Sequence, residues 1–265
     1  MSEAIVSIVV PTCNEHEKTI QCFASLRAYT DVPYELVWVD NGSNVQSYNA
    51  ILQQASKPGV RCTKIKFKNN TGFVVATNAG IRAASKSSKY IVMLNNDTMV
   101  SPKWLTRLLA PFKDPLVGAV GPITQSKISW QESGHLNVRW KLSLPVFRTP
   151  TVVKRVPEAI EKYAAVLSSQ FSTKYVETHG NPLAFFCVAI PRRVIDQVGL
   201  LDEDFGIGLG DDEEYCHRLR RNGYKLILSL GSFVFHWHRT TFKSLRLPID
   251  SIRRKNVKLL KAKTR

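Results

Sequence analysis

The chain has 265 residues, 44% of them hydrophobic, and carries 37 Lys and Arg against 21 Asp and Glu, a net charge of +16. That length and apolar content suffice for one packed α/β domain and exclude a chain that stays disordered. No apolar run reaches the roughly 20 residues that span a bilayer, and five cysteines, at 13, 22, 62, 187 and 216 with no CxxC spacing, exclude a disulfide framework and a zinc knuckle in favour of free buried thiols.

Residues 1–4 run directly into an apolar stretch without the basic segment and longer apolar core of a secretory leader, so synthesis in the cytosol is expected. Residues 5–10, β-branched and closed by Pro11, read as a buried strand. A helix is expected over 16–28, a strand over 34–39 ended by the turn signal Asp40-Asn41-Gly42-Ser43, and a helix over 45–55. A third strand over 61–67 is broken by Asn69-Asn70-Thr71-Gly72, and a helix over 73–84 follows. Then come a strand over 90–94, a loop over 95–100, a helix opened by Ser101 as cap and Pro102 as first residue, and a strand over 117–120. This alternation argues for a mostly parallel sheet flanked by helices. Residues 124–180 break the pattern and read as an insertion with a helix near 157–170. Order returns with a strand over 183–190, helices over 192–198 and 211–222, and two last strands over 226–230 and 232–235. One domain over 1–238 followed by a basic tail over 239–265 is the expected division.

The tail holds ten Lys or Arg and one acid, Asp250. It reads either as a solvated basic helix or as a surface for an anionic membrane face or acceptor. The expected location is therefore the cytoplasm, with peripheral contact at the inner membrane face.

In an open α/β sheet, ligands bind beyond the carboxyl ends of the strands. The polar groups there are Thr12-Cys13-Asn14-Glu15, Asp40-Asn41, Asn69 to Gly72, and Asn95-Asn96-Asp97. Asp97 reads either as a turn residue or as a ligand for Mg²⁺ or Mn²⁺, which favour carboxylate oxygen and bridge diphosphates. Ser101-Pro102 already supplies the next helix start, which weakens the turn reading. Asp211-Asp212-Glu213-Glu214 follows a glycine-rich run. A helix N-terminus explains one or two of these acids, and a general base held near an acceptor hydroxyl would explain another. His236 and His238 read as structural residues or, one of them, as completing a metal site with Asp97.

Taken in order, these segments resemble the family 2 glycosyltransferases, inverting enzymes with the GT-A fold. The resemblance covers 5–122 and 180–240. It rests on Val6 through Pro11-Thr12-Cys13-Asn14-Glu15, on Val37-Trp38-Val39-Asp40-Asn41-Gly42-Ser43, on Asn70-Thr71-Gly72-Phe73 with Asn78-Ala79-Gly80-Ile81, on Met93-Leu94-Asn95-Asn96-Asp97-Thr98, and on Leu201-Asp202-Glu203-Asp204-Phe205 followed by Gly210-Asp211-Asp212-Glu213-Glu214 and Arg218 through Tyr224. It implies a Rossmann-like, mostly parallel central sheet. It further implies that Asp40 bonds the base of a uridine or thymidine diphosphate sugar, that Pro11, Thr12 and Glu15 line the nucleoside pocket, and that Asn95 lies near the ribose. Asn14, Gly72, Asn78 and Asn96 belong to the same donor-contacting motifs. Asp97 would hold the cation with His236 or His238, and Asp212 would be the base, with Asp211 as the other choice. The metal motif departs from the family in starting with Asn95 rather than an acid, and the catalytic block in reading Asp-Asp rather than Glu-Asp. The acceptor would be a glycan, a lipid-linked sugar or another polyanion. A nucleotidyltransferase would need a Gly- and Lys-rich phosphate loop that Pro11 to Glu15 lack. A non-catalytic basic protein binding nucleotides or nucleic acid remains the alternative, and leaves the acidic cluster and Asp97 without a role.

Overall fold

The computed structural model describes residues 5–125, 156–237 and 248–264. In chain order the elements are β1 (Val6–Thr12), α1 (His16–Tyr29), β2 (Tyr34–Asn41), α2 (Val45–Ala55), β3 (Arg61–Phe67), α3 (Phe73–Ala83), β4 (Tyr90–Leu94), β5 (Thr98–Val100), α4 (Trp104–Leu109), β6 (Val117–Ile123), α5 (Val156–Phe171), β7 (Tyr175–Glu177), β8 (Cys187–Pro191), α6 (Arg192–Val198), α7 (Asp211–Arg221), β9 (Lys225–His236) and α8 (Ile249–Lys263). Among the described residues nine strands form one sheet in the order β3-β2-β1-β4-β8-β6-β9-β5, with β7 on β9.

The first four strands in this order run parallel, and the antiparallel β8 joins them to the pair β6 and β9, which are again parallel to each other. This is the helix-flanked, Rossmann-like GT-A architecture expected. The side chains of β1, Val6 to Val10, are all completely buried, because helices cover both faces of the sheet. One apolar cluster carries Trp38, Phe23 and Trp104, and the other carries Phe205, Tyr215 and Phe233. The chain leaves β1 toward β2 on one side and toward β4 on the other. The carboxyl ends of β1, β2 and β4 therefore open a crevice where the winding direction switches.

Four local expectations are corrected. The presumed loop over 95–100 contains the three-residue strand β5, paired antiparallel to β9. Ser101 does not cap α4: its hydroxyl donates to the carbonyl of Phe233 at 2.8 Å, and the helix begins at Trp104 with Lys103 left-handed before it. The strand expected over 183–190 starts only at Cys187, leaving Leu183 to Phe186 to enter the crevice as a connection. The two last strands are one, β9. Gly231 resembles a break, but a Cβ there would stand 2.8 Å from the carbonyl oxygen of Phe171, so the glycine admits the end of α5 against the strand. The helix expected near 157–170 is α5, whose Tyr163 ring lies 4.4 Å from that of Phe233. Of the basic tail, 249–263 is the helix α8. Four of the five cysteines are buried and all are free. None of the described helices is long and apolar enough to cross a membrane.

Candidate active site

β5 matters because of what it aligns. Thr98 pairs with His236, and the N–H of Trp237 donates to the carbonyl of Asp97 at 2.9 Å. Asp97, one residue before β5, thus meets the last residue of β9: His236 Nε2 stands 3.0 Å from Asp97 Oδ1, and both residues are buried. The imidazole stacks on Phe186, with centroids 4.9 Å apart and planes 14° from parallel. Gln125 brackets the backbone of His236, donating to its carbonyl at 2.8 Å and accepting from its N–H at 3.2 Å. A carboxylate oxygen and an imidazole nitrogen converging on one buried point suit a cation such as Mn²⁺, which accepts both donor types. No group of three His, Cys, Asp or Glu side chains gathers among the described residues. A cation held by these two donors would remain open to further oxygen ligands. His238 lies outside the described residues.

On the other side of the crevice stands the acidic cluster, and its four members have separate environments. Glu214 forms a two-pronged pair with Arg218, at 2.7 and 2.8 Å, one turn along α7. Glu213 is exposed. Asp211 is 4% exposed and its carboxylate turns into the 206–210 loop, where burial first and the charge of Asp212 second hold its pKa well above the usual carboxylate range. Asp212 is half-buried; burial also raises its pKa, while the N–H of Glu213, 2.9 Å from Oδ1, and the N–H of Phe185 act to lower it. Between the two candidates, Asp211 is engaged by the loop and Asp212 is the carboxylate with access to solvent and a raised affinity for a proton.

Phe185 and Phe186 join the two sides. The N–H of Phe185 faces Asp212, the carbonyl of Phe186 accepts from the N–H of Asn95 at 2.8 Å, and the Phe186 ring covers His236. Two adjacent residues therefore span the acidic cluster and the Asp97–His236 pair, which places both at one crevice. Neither phenylalanine stood out in the sequence, because an aromatic pair before a buried strand carries no motif.

The donor-side residues divide differently. Asp40, one residue before the end of β2 and in register with Thr12, is fully buried, and neither of its oxygens has a hydrogen-bond partner of good geometry. Burial raises its pKa, and Ser43 and the Lys66 cation pull it partway back. Asn95 Oδ1 is likewise buried without a partner. By contrast Thr12 accepts from Trp38 Nε1 at 2.9 Å, Asn96 donates to Thr19 at 2.9 Å, and Asn14 accepts from the N–H of Asn44 at 2.9 Å. Asn78 is entirely buried and clamps both backbone groups of Leu201, at 2.8 and 3.1 Å, and Glu203 at 2.9 Å. Pro11 sits inside β1, and Glu15 pairs with Lys18 at 2.6 Å from a left-handed backbone. Gly72, with φ +91, is needed because a Cβ there would lie 2.6 Å from the carbonyl oxygen of Gly206. Asn41, read in the sequence only as part of a strand-end polar group, is the centre of this frame. Its amide donates to Asn70 and Gly72, and its carbonyl accepts both the N–H and the hydroxyl of Thr71. Of the sequence-selected donor residues, Asp40 keeps a buried, incompletely satisfied carboxylate and Asn95 an unpaired oxygen, whereas Thr12, Asn14, Asn78 and Asn96 spend hydrogen bonds shaping the walls.

Comparison with known proteins identifies the family and the fold. The chain is 25% identical over 249 residues to the O-antigen biosynthesis protein RfbC of Myxococcus xanthus, covering 92% of this chain and 18% of that protein. It is 25% identical over 245 residues to the hyaluronan synthase of Pasteurella multocida, covering 87% and 24%. It thus spans less than a quarter of the length of each of these two relatives. In structure it resembles the mannosyltransferase PcManGT of Pyrobaculum calidifontis in complex with GDP-Man and Mn²⁺, with a TM-score of 0.63 at 17% identity, over 92% of this chain and 61% of that one. Residues 7–171 match the model of Glycosyl transferase family 2, more than half of the chain, and the protein belongs to that family.

Proposed function

We propose that the protein is an inverting glycosyltransferase, moving a sugar from a uridine or thymidine diphosphate donor to an acceptor hydroxyl, with Asp212 as base and a divalent cation, Mn²⁺ or Mg²⁺, held by Asp97 and His236. The observation that carries this reading is the Phe185–Phe186 link, which brings a proton-accepting carboxylate and an oxygen–nitrogen donor pair to the same crevice. PcManGT, similar in fold, was solved in complex with the nucleotide sugar GDP-Man and Mn²⁺, which supports a nucleotide-sugar donor and a divalent cation. The buried carboxylate of Asp40, incompletely satisfied by Ser43, supports recognition of a base with an N–H to donate, as uracil and thymine have.

The acceptor oxygen attacks the anomeric carbon from the face opposite the diphosphate. As the new C–O bond forms, its proton passes to Asp212, and the electron pair of the breaking bond leaves on the phosphate oxygen. When bound, the cation offsets the charge that develops on that oxygen. The chain's own part is to keep Asp212 deprotonated at working pH yet basic, which a raised carboxylate pKa achieves. Asp97 and His236 hold one fixed geometry through the β5–β9 pairing. The acceptor side is proposed as a glycan or lipid-linked sugar. The exposed cations Arg253, Arg254, Lys255, Lys258 and Lys261 on α8 favour an anionic acceptor or membrane face beside it.

The test is a panel of nucleotide sugars and nucleoside diphosphates read by thermal stabilisation and by donor hydrolysis. UDP or dTDP with Mn²⁺ is expected to raise the melting temperature, and a matching nucleotide sugar to be slowly hydrolysed, with chelator abolishing both. No stabilisation by any nucleoside diphosphate, with or without cation, would overturn the reading and favour a basic protein without this chemistry.

A further inference from the structure

The C-terminal helix α8 does more than carry charge outward. Asn256 on its inner face is 2% exposed, and its amide donates to two backbone carbonyls, those of Phe205 at 3.3 Å and Gly208 at 2.7 Å. Two turns on, Lys263 pairs with Asp202 and, at 2.6 Å, with Asp204. Leu259 and Leu260 pack onto the cluster that contains Phe205 and Tyr215.

The segment held in this way is strained. Gly206, Gly208, Leu209 and Gly210 all have positive φ, at 58°, 102°, 72° and 115°, and Leu209 has no glycine to relieve it. Such a backbone persists only where its surroundings over-determine it. On one side the N–H of Val74 donates to the carbonyl of Gly206 at 3.0 Å, with Gly72 packed against the same carbonyl. On the other side stands Asn256. The loop ends at Gly210, the residue before α7, and Asp212 is the second residue of that helix.

We infer that Asn256 is a positioning residue: its amide holds the 206–210 loop and, through it, the direction in which the Asp212 carboxylate faces the crevice. Naming Asp212 as the base rests on the proposed function, but the latch itself does not. Asn256 has no sequence neighbour that marks it, and its role follows from α8 returning over the loop almost fifty residues later.

The discriminating variant is Asn256→Asp in the full chain. It keeps volume and shape but turns a donor into an oxygen aimed at two carbonyl oxygens, which reverses the contact rather than deleting it. Arg254→Ser, at an exposed position of the same helix, is the control. Two measurements that need no acceptor are made, amide hydrogen exchange over 205–213 and the titration of Asp212 followed by carbon NMR of labelled aspartate, assigned with Asp212→Asn. Exchange over 205–213 at least about tenfold faster than in the wild type, with elements β1 to β4 unchanged, and an Asp212 titration moved toward the ordinary carboxylate range are expected for Asn256→Asp and not for Arg254→Ser. Unchanged exchange overturns the latch, and faster exchange with an unchanged Asp212 titration overturns the positioning role. Where Asn256→Asp does not fold, Lys263→Met, at the outer anchor, is read the same way with a smaller expected rise, about threefold. Failure of all nucleotide sugars as substrates would defeat the proposed function while leaving both measurements readable.

Discussion

The parallel half of the sheet and the mixed half build their share of the crevice by opposite means. In the parallel half, β1 to β4, the amides and hydroxyls at the strand ends are mostly satisfied within the protein: Thr12 by Trp38, Asn41 by Asn70, Gly72 and Thr71, Asn96 by Thr19. A carboxylate, Asp40, is left buried with only Ser43 and the Lys66 cation to offset its charge. In the mixed half, acids are gathered and their proton affinities raised by burial, at Asp211 and Asp212, and a carboxylate–imidazole pair is fixed by a three-residue strand. Short neutral side chains build a rigid frame at little electrostatic cost, whereas buried carboxylates carry a desolvation cost that a ligand or a proton can relieve. The contrast separates residues that shape the site from residues that await something in it.

If that division is right, variants at the awaiting residues change chemistry or binding far more than stability. Asp212→Asn, isosteric and unable to take a proton, is expected to lower turnover about 100- to 10,000-fold while UDP with Mn²⁺ still raises the melting temperature. Turnover within twofold of the wild type would reassign the base. Asp97→Ala is expected to abolish the Mn²⁺-dependent part of the nucleotide stabilisation and lower turnover on the order of 100-fold, since several kcal/mol of charge stabilisation is removed. Retention of a metal-dependent shift would show that the Asp97–His236 pair is only structural. Asp40→Asn is expected to weaken donor affinity about tenfold with turnover at saturating donor little changed, because a hydrogen bond to a charged acceptor is replaced by one to a neutral amide. Equal affinity would move base recognition elsewhere. A frame residue behaves in the opposite way. Gly72→Ala must fit a Cβ 2.6 Å from a carbonyl oxygen at φ +91, and is expected to cost about 1–3 kcal/mol of stability, read as a lower midpoint in denaturant.

Much of this was legible in the chain. Runs of β-branched residues closed by Asp-Asn-Gly or Asn-Asp mark strands that end in polar turns, and those ends are where the crevice opens. The three residues of β5 are too few to show any alternation, so the pairing that carries Asp97 to His236, 139 positions away, could not be read locally. The family motifs named both residues, but only the Thr98–His236 register explains why they meet. Motifs also over-select. Asn78 occupies a donor motif yet is consumed in clamping Leu201, because a buried amide with a free backbone segment beside it is worth more as a brace than as a contact. Gln125, Phe186 and Asn256 carried no signal, since each acts through the backbone of a distant segment.

The smallest expected effect tests the electrostatic side of the comparison on its own. Asp211 is buried and its pKa is raised, so in the folded chain it holds its proton at pH values where the unfolded chain has already released it. Between the ordinary aspartate range and the raised value the folded state binds more protons than the unfolded state, and stability falls as pH rises. The melting temperature should therefore decline from mildly acidic to neutral pH, with Asp212 contributing in the same direction over a narrower window. Asp211→Asn keeps the shape and removes the ionisation. It is expected to flatten that decline and to raise the melting temperature near neutral pH, by about 2–4 °C for each kcal/mol regained. A variant less stable than the wild type at pH 8, with the slope unchanged, would mean that the ionised carboxylate is satisfied by the N–H groups of Leu209, Asp211 and Asp212. Asp211 would then belong to the frame and not to the strained, awaiting acids.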